Sequence, residues 1–445
     1  MRQFMDVVQE AGNLHSAGKL DQAKALYEAL LGSQPDDAIV LYLLGTLNSQ
    51  QGNFGTAINL LLRSSQLAGQ ELPEVWHNLG VAYRNEGHAQ PARDAYQKAL
   101  DLEPDRQDTL AMMAGSYVNT GTPEKAVEWA NKALALGDTP HARNHRALAN
   151  LELKNWAEAW PDYESRFELP TFSSMVRPYE CPRWNGERVG KLAIHGEQGI
   201  GDEIMFMSCF EDAWQLADEV VIECADRLVP LFERSFGVPC YPDHESLIDE
   251  HPDVDAYIPM GSMPGLFRLK DEHFPRHSYL KANSRAEDNF RMQFGHPLIG
   301  IAWHGGTKGT HQELRNAPLG LWKQLIEANP DVSFVSLQYG ADGPVQAGEL
   351  LIPHFQGAID DLDKQAALIS ACDLVISVCQ TAVHIAGAIG TPCWCLTPDQ
   401  AAWRYGIEGD MLWYGPHLEL IRQEGRGWEG VFETVGERLK NADFG

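Results

Sequence analysis

The first third of the chain repeats a pattern of small residues with a period of about 34 positions. One series of small residues steps by 33 to 35 positions, and a second series follows it with the same step. The first series is Ala11, Gly45, Gly80, Ala114 and Ala147, and the second is Ala23, Ala57, Ala92, Ala126 and Ala159. Two antiparallel helices approach closely only where side chains are small, so this period predicts a stack of helical hairpins.

Turn glycines and larger residues keep the same period. The turn series is Gly18, Gly52, Gly87 and Gly121, closed by Asn155, and the groove-filling series is Tyr27, Leu61, Tyr96, Ala130 and Tyr163. Together the four series form the tetratricopeptide repeat signature. They predict an N-terminal α-solenoid of about five hairpins over residues 1–168.

The solenoid predicts an interaction role without fixing it. Such repeats present a concave groove that usually holds a peptide or another protein, but they can also brace a neighbouring domain or form a homo-oligomer. Asn48, His77 and Asn78 are candidate groove residues, and ordinary solvated helix surface is the alternative.

Length and charge limit the remaining possibilities. A chain of 445 residues is too long for one compact core, so further domains are expected. With 35 Lys and Arg against 62 Asp and Glu, the net charge of -27 repels nucleic acid and anionic lipid surfaces. A pocket for one small anion needs only two or three placed groups and is compatible with this charge.

The cysteines and the N-terminus point to a cytoplasmic protein. The eight cysteines show no CxxC pair, so we expect reduced thiols in a reducing compartment. Cys393 and Cys395 fit two same-face side chains of a buried strand better than metal ligands, and no metal site is expected. The first residues lack the apolar stretch of a signal peptide, and no run is long enough to span a membrane.

From Lys191 onward, apolar runs alternate with amphipathic stretches, which predicts parallel sheets flanked by helices. A proline-containing linker is expected at 169–188, followed by two Rossmann-like domains at 189–284 and 285–445. Strands are expected near 191–195, 219–224, 297–303, 333–337, 373–378 and 392–396, helices near 203–216, 319–329, 363–372 and 381–389, and a weakly ordered stretch at 260–285. Ligands bind at the carboxyl ends of the strands in this architecture.

The first candidate motif is HGEQGIGDEIMF, where a strand leads into a glycine-rich turn and then a helix. Gly199 and Gly201, with Glu197 and Gln198, form a loop that a ligand could approach closely. Asp202 near the helix start has two open interpretations, an N-cap or a general base facing the cleft.

The second candidate motif is the loop GIAWHGGTKGTHQELRNAP. It gathers His304, Lys308, His311 and Arg315 against an acidic background, as a diphosphate site would require. A solvated surface loop is the alternative, since no P-loop motif is present.

The third candidate motif is SVCQTAVHIAGAIGTP, in which a strand breaks into a helix with Gln380, Thr381 and His384 in its first turn. Helix N-terminal N–H groups and a hydroxyl suit a phosphate. A satisfied core histidine is the alternative for His384.

The motifs together resemble the bacterial tetratricopeptide-fused glycosyltransferases related to the lipopolysaccharide heptosyltransferases. The resemblance is carried, in order, by WAEAWPDYESRF, GEQGIGDEIMF, GIAWHGG, FVSLQYG, LISACDLVISVCQTAVHIAGAIGTPCWCL and WRYGIEGDMLWYGPHLELIRQ. It implies a GT-B pair of Rossmann-like domains, a metal-independent reaction without a cofactor, and a nucleotide sugar bound in the C-terminal half. It also implies Asp202 as the catalytic base, and Lys308, Arg315, Gln338, Thr381 and His384 at or beside donor-contacting positions.

The chain departs from this family at one position. Many relatives read Val-Asp-Thr before the histidine-containing helix, whereas this chain reads Val378, Cys379 and Gln380. The missing carboxylate leaves the donor sugar open.

The sequence therefore predicts an inverting glycosyltransferase of the α + α/β class. Its acceptor would be a protein recruited by the repeats, such as flagellin or another surface polypeptide, with a glycan or a lipid as the alternative acceptor. The alternatives are a non-catalytic scaffold with a nucleotide-sugar-sensing or degenerate α/β region, and, with less support, a carbohydrate epimerase related in fold.

Overall fold

A computed structural model describes residues 2–67, 72–170, 172, 176–243, 253–306, 312–442 and 444. The chain divides into two compact units, residues 1–149 and residues 150–445. The boundary lies inside one helix, earlier than the predicted solenoid end at 168. The two units are described in turn.

The first unit is a run of antiparallel helical hairpins. Its helices are α1 (Arg2–Ser16), α2 (Leu20–Ser33), α3 (Ala38–Gln50), α4 (Phe54–Leu67), α5 (Pro73–Asn85), α6 (Ala89–Leu102), α7 (Gln107–Gly115), α8 (Pro123–Leu136) and α9 (Pro140–Glu152), the last of which crosses the boundary. Gly18, Gly52, Gly87 and Gly121 adopt positive φ in the turns, as the periodic glycines predict. The tetratricopeptide repeats expected from the sequence are present.

Close approach of paired helices explains the small residues. In the third hairpin, a Cβ added to Gly80 would overlap the ring of Tyr96, whose side chain is fully buried. Gly45 lies in the same way against Leu61 of the preceding hairpin. The small residue of one helix and the large residue of its partner therefore form a matched pair that fixes their separation.

The second unit begins with helix α10 (Trp156–Tyr163), which packs on an aromatic cluster of its own unit. Trp156 contacts Phe274 with ring centroids 4.7 Å apart, and Phe274 in turn contacts Trp413 at 4.9 Å. The indole N–H of Trp160 donates to the carbonyl of Arg268 at 2.8 Å. This cluster anchors the segments around 268–274 and 403–413.

Two parallel sheets follow. The first contains β1 (Val189–His195), β2 (Ala217–Cys224), β3 (Cys240–Pro242) and β4 (Ala256–Pro259) in the order β3-β2-β1-β4. The second contains β5 (Leu298–Ala302), β6 (Ser333–Ser336), β7 (Leu374–Val378), β8 (Cys393–Thr397) and β9 (Leu418–Arg422) in the order β6-β5-β7-β8-β9. Every residue of β5 and β7 is buried, as expected for strands covered on both faces.

Helices and short turns connect the strands. The helices are α11 (Ile200–Phe206), α12 (Phe210–Trp214), α13 (Val229–Phe236), α14 (Pro264–Phe267), α15 (Ser284–Arg291), α16 (Leu319–Glu327), α17 (Gly343–Glu349), α18 (Gln356–Ile359), α19 (Leu362–Ala371), α20 (Thr381–Ile389) and α21 (Gly427–Lys440). The 3-10 turns are Glu164–Glu168, Met207–Cys209, Asp226–Leu228, Met260–Ser262, Asp271–His273, Gln312–Arg315 and Trp403–Tyr405.

The element predictions hold best where apolar runs are long. The six predicted strands are present, while β3, β4 and β9 were missed. The single helix expected at 203–216 is instead α11 and α12, separated by a 3-10 turn. The prediction of a weakly ordered stretch at 260–285 is wrong, because Arg268 is 2% exposed and its guanidinium binds the Asp212 carboxylate and the Ser208 carbonyl.

The structure also shows the state of the cysteines and the lengths of the helices. All eight cysteines are free thiols, and seven of them are buried. Within the described residues, the helices are too short or too polar to cross a bilayer, and groups of three or more potential metal ligands are absent.

The Gly80–Tyr96 pair gives a direct test of hairpin packing. Gly80→Ala should lower the stability of the first unit by about 1–3 kcal/mol, because the added methyl overlaps a buried ring. The control is Gly12→Ala in α1, where nothing lies within 4 Å of the added methyl and Ala favours the helix. Thermal unfolding should show a lower Tm for Gly80→Ala and an unchanged or higher Tm for Gly12→Ala. Equal Tm values for the two variants would contradict the packing argument.

Candidate functional site

The glycine-rich turn after β1 is fixed by a buried ion pair. Glu197 is 3% exposed, and its two carboxylate oxygens accept from Nη2 and Nε of Arg166 at 2.6 and 2.9 Å. One of these oxygens also accepts from the backbone N–H of Gly261 at 2.7 Å. Glu197, predicted as part of the acceptor-side loop, therefore holds that loop in place, and its carboxylate is fully engaged by the protein.

The neighbouring residues of the turn have structural partners as well. Gln198 adopts a positive φ of 66°, and its amide nitrogen donates to the Tyr163 hydroxyl at 2.8 Å. Gly199 is the N-cap residue of α11, and its carbonyl accepts from the N–H of Asp202. The Asp202 side chain is therefore not the N-cap of this helix, which removes that interpretation.

Asp202 is paired with an arginine from the second sheet. Its carboxylate accepts from Nη2 of Arg404, which lies in the 3-10 turn after β8. Both side chains are mostly buried, with 18% and 15% of their surface exposed. The pair brings the carboxyl end of the first sheet to that of the second sheet.

His384 on α20 packs directly against Gly201 in the first turn of α11. A Cβ added to Gly201 would lie 2.9 Å from Cδ2 of His384, so only glycine allows the approach. The two ring nitrogens of His384 face hydroxyls, Nδ1 at 2.9 Å from that of Tyr414 and Nε2 at 3.3 Å from that of Tyr405. Burial, and then the nearby cations Arg404 and Arg315, lower the pKa of His384 to about 3. His384 is consequently a neutral group at pH 7 that joins the two halves of the site.

The N-terminus of α20 carries an unsatisfied buried amide. Gln380 is its N-cap residue and is 5% exposed, and neither its amide nitrogen nor its amide oxygen has a partner among the described residues. Gly305, which follows β5, packs against it closely enough that an added Cβ would lie 2.9 Å from Cβ of Gln380. Thr381 follows at the first helical position and is partly exposed. The second and third candidate motifs therefore meet here.

Gln338 organises the backbone after β5. Its amide oxygen accepts from the N–H groups of Trp303 and His304 at 2.8 and 3.0 Å, and its amide nitrogen lies 3.1 Å from Nδ1 of His304. Gln338 is fully buried, so the structure places it behind the loop as a support. Burial lowers the pKa of His304, which favours its neutral form.

A cavity opens beside His304. It has a volume of about 370 Å³ and is lined by residues from three segments, including His304, Gly306, Gln312, Asn316, Tyr339 and Asp342. Lys308 and His311 lie outside the described residues. Arg315 ends the 3-10 turn Gln312–Arg315. Burial lowers the pKa of His384 and raises the pKa of Tyr339, and the charge of Arg315 acts on both groups, so Arg315 faces the same region.

Cys379 lies between strand β7 and Gln380, the N-cap residue of α20. Its thiol is buried, and Sγ lies 3.8 Å from Sγ of Cys395 on β8. The side chain is therefore turned towards the neighbouring strand.

Several residues of the site were not singled out from sequence. Arg166, Arg404, Tyr405 and Tyr414 supply the partners of Glu197, Asp202 and His384, although their segments were noted for the family resemblance. A local signal exists only for Arg404, which lies between two buried aromatic residues in the run WRYG. An arginine in such a position is expected to reach a buried acceptor.

Glu203, next to Asp202, is a buried acid at the strand ends. It is 4% exposed, and Oε2 accepts from the N–H of Ala225 at 3.0 Å. Burial raises the pKa of Glu203 to about 8, and the carboxylates of Asp243 and Asp202 act in the same direction. The group is therefore protonated through much of the neutral range.

Comparison with known proteins identifies the repeats. The tetratricopeptide repeat family matches residues 14–79 and, separately, residues 73–106. Protein FlbA of Caulobacter vibrioides is 28% identical over 416 residues, which cover 86% of this chain and 69% of FlbA. A DnaJ homolog subfamily C member 7 homolog of Schizosaccharomyces pombe is 31% identical over 109 residues, 22% of each chain. Because 86% of the chain is far more than the first unit, the similarity to FlbA extends into the α/β region.

Solved structures match part of the chain. The crystal structure of MamA protein has 22% identity and a TM-score of 0.34, covering 41% of this chain and 100% of that one. A thermophilic TPR protein of Thermus thermophilus has 22% identity and a TM-score of 0.33, covering 38% of this chain and 92% of that one. The chain therefore contains tetratricopeptide repeats and is similar to FlbA, and its parallel-sheet α/β region fits Rossmann-like domains.

The Arg166–Glu197 pair is expected to be essential for stability. Arg166→Met should cost about 3 kcal/mol or more, because it leaves the Glu197 carboxylate buried without a cation. Adding Glu197→Gln should recover part of the loss. The control is Arg188→Met, whose exposed pair with Asp218 should contribute at most about 1 kcal/mol. If thermal unfolding shows no greater loss for Arg166→Met than for Arg188→Met, the ion pair does not hold the turn.

Glu203 should make stability depend on pH. Its pKa of about 8 in the folded protein exceeds the ordinary value of 4.5, so its stabilising effect is fully present below pH 4.5 and is lost as pH rises through 8. Glu203→Gln should therefore reduce the fall in Tm between pH 5 and 9, with a gain on the order of 3 kcal/mol at the alkaline end. Glu219→Gln at an exposed position of β2 is the control. Parallel Tm curves for wild type and Glu203→Gln would contradict this assignment.

Proposed function

We propose that the second unit transfers a sugar from a nucleotide diphosphate donor to an acceptor hydroxyl, with inversion and without a metal ion or other cofactor. In this proposal its two parallel sheets form a GT-B type pair, an acceptor-side domain at 189–284 and a donor domain at 285–445, after a linker at 169–188. The acceptor is a protein recruited by the tetratricopeptide repeats.

One observation supports the proposal above the others. The N-terminus of α20, with the buried unpartnered amide of Gln380, lies on the same side as Arg315 and Arg404 and close to the carboxylate of Asp202. Helix N–H groups and guanidinium groups stabilise a departing diphosphate, and a carboxylate can accept the proton of an attacking hydroxyl. A base and an anion site are thus adjacent, as direct displacement at an anomeric carbon requires.

The residues then have distinct roles in the proposed reaction. Thr381 and the first N–H groups of α20 contact the diphosphate, together with Arg315 and Lys308. Gln380 binds a polar group of the donor through its amide. His384 is a neutral spacer that fixes α20 against the Gly201 turn, and Gln338 shapes the loop at His304. Cys379, at the position where the resembling family has an acid, offers the donor no carboxylate.

The first unit would present the acceptor. Its helices carry ordered polar side chains such as Asn78, whose amide nitrogen donates to Thr46 Oγ1 at 2.9 Å, and His77, whose Nδ1 lies 2.9 Å from Thr109 Oγ1. Tetratricopeptide repeats commonly bind peptides or proteins, which supports a polypeptide acceptor such as flagellin or another surface protein. Self-association of the repeats is a second use of the same surface. The free thiols fit a reducing compartment such as the cytoplasm.

A non-catalytic scaffold is the competing proposal. It is favoured by the ion pair between Asp202 and Arg404, since a carboxylate oxygen that accepts from a guanidinium is occupied and not free to accept the proton of an acceptor hydroxyl. A thermal-shift screen with nucleoside diphosphates and nucleotide sugars would detect ligand binding under both proposals. Release of nucleoside diphosphate and transfer of sugar would be seen only for the enzyme.

The test of catalysis is the Asp202→Asn variant. It should lower the rate of sugar transfer by about 10²- to 10⁴-fold, because the amide cannot accept the hydroxyl proton, while binding of the nucleotide sugar is retained. Transfer is measured by mass spectrometry of acceptor proteins, and the control is Asp218→Asn at an exposed ion pair of β2. An unchanged rate for Asp202→Asn would exclude it as the base, and absence of transfer with every donor would support the scaffold.

A further inference from the structure

The backbone around Arg404 is fixed by its buried neighbours, whereas its guanidinium keeps an N–H group without a hydrogen-bond acceptor among the described residues. The residues on either side, Trp403 and Tyr405, are 6% and 2% exposed, so the turn that carries Arg404 is anchored in the aromatic core. Within the described chain its hydrogen bond goes to Asp202 alone. Its Nε is buried and has no partner.

This pattern is that of an incomplete site. A guanidinium has five N–H donors in a fixed fork and binds phosphate with two of them at once. A buried donor without a partner costs on the order of 1–3 kcal/mol. The charge of Arg404 acts on His384 of α20, and Gln380 is the N-cap residue of the same helix, so both unpartnered groups belong to the surroundings of α20. Among the described residues, neither the Nε of Arg404 nor the amide of Gln380 has a hydrogen-bond partner.

We infer that Arg404 exchanges partners, leaving Asp202 for the pyrophosphate group of a bound nucleotide diphosphate. This inference rests on the proposed function, because it takes the same site and the same class of anion. The carboxylate of Asp202 is released only when the donor is bound. Arg404 is thus a positioning residue that makes the base available in the order donor first, acceptor second.

The charges of the site explain why an exchange is favourable. In the pair, each group neutralises the other, so neither is a lone buried charge. A pyrophosphate carries more negative charge than one carboxylate and offers oxygens to both Nη2 and Nε, so the second N–H gains a partner in the exchange. The released Asp202 carboxylate is 18% exposed and can accept a hydrogen bond from water or from the acceptor hydroxyl in place of Arg404.

The experiment is a double-mutant cycle with inorganic pyrophosphate as the probe, by isothermal titration calorimetry of the full chain without added metal. Arg404→Gln should weaken binding about 10- to 100-fold, since a charge-assisted contact is lost. Asp202→Asn should tighten binding about 3- to 10-fold, because the competing carboxylate is removed. The double variant should bind as Arg404→Gln does, because Asp202 acts only through Arg404. Arg438→Gln, which removes an exposed pair with Glu419, should bind as wild type.

A higher affinity of Asp202→Asn for pyrophosphate distinguishes a partner exchange from a purely structural ion pair. If the pair were only structural, the affinity of this variant would fall or stay the same. Arg404→Lys should restore only part of the affinity lost in Arg404→Gln, because the ammonium keeps the charge but not the two-pronged contact, and it replaces that variant in the cycle if Arg404→Gln unfolds. Binding by Asp202→Asn no tighter than wild type, binding by Arg404→Gln equal to wild type, or no pyrophosphate binding by wild type would each overturn the inference. The cycle measures binding alone, so its result is independent of sugar transfer. If the cycle fails while sugar transfer is normal, the partner exchange is contradicted and the proposed enzyme activity stands. If the cycle succeeds while no transfer occurs, the exchange stands and the enzyme activity is contradicted.

Discussion

The ion pair between Arg166 and Glu197 is the constraint on which the candidate site depends. Both side chains are almost completely buried. The remaining N–H groups of Arg166 donate to Ser262, Glu164 and the Tyr163 carbonyl, and Glu197 also accepts from the N–H of Gly261. Such a pair is stable only as a complete set, so the turn after β1 has a single low-energy position. Asp202 lies five residues further on, and its location follows from that turn.

Contacts between the two sheets then assemble the rest. The Gly201 turn packs on His384, the Tyr279 hydroxyl donates to the Ile204 carbonyl at 2.6 Å, and Arg404 reaches Asp202. Each contact joins α11 to α20 or to the loops beside it. These two helices begin at the carboxyl ends of β1 and β7, where ligands bind in open parallel sheets. A ligand at α20 is therefore also a ligand near Asp202.

The structural features that could be predicted from the sequence are those with a local sequence pattern. The 34-residue period, the turn glycines and the long buried strands each repeat a pattern within a few positions, and the structure follows them. No such pattern marks the short edge strands β3 and β4 or the terminal strand β9 in the sequence. Partners far apart in sequence were also missed, so Glu197 and Gln338 were expected to face a ligand although Arg166 and the 303–304 backbone hold them. An unpaired polar residue looks the same in a sequence whether its partner is a substrate or the protein.

The partner of a buried polar residue is either the protein or a ligand, and charge distinguishes these two cases more clearly than residue type does. Within a chain of net charge -27, a buried arginine is most stable beside an acid, and Arg166 and Arg404 both have one. Arg166 is fully satisfied, with Glu197, Ser262 and the Tyr163 carbonyl as acceptors, whereas Arg404 keeps a buried N–H without an acceptor. The first pair is complete and belongs to the fold. The second pair is incomplete, and its missing acceptor is the strongest physical reason to expect an anion at the N-terminus of α20.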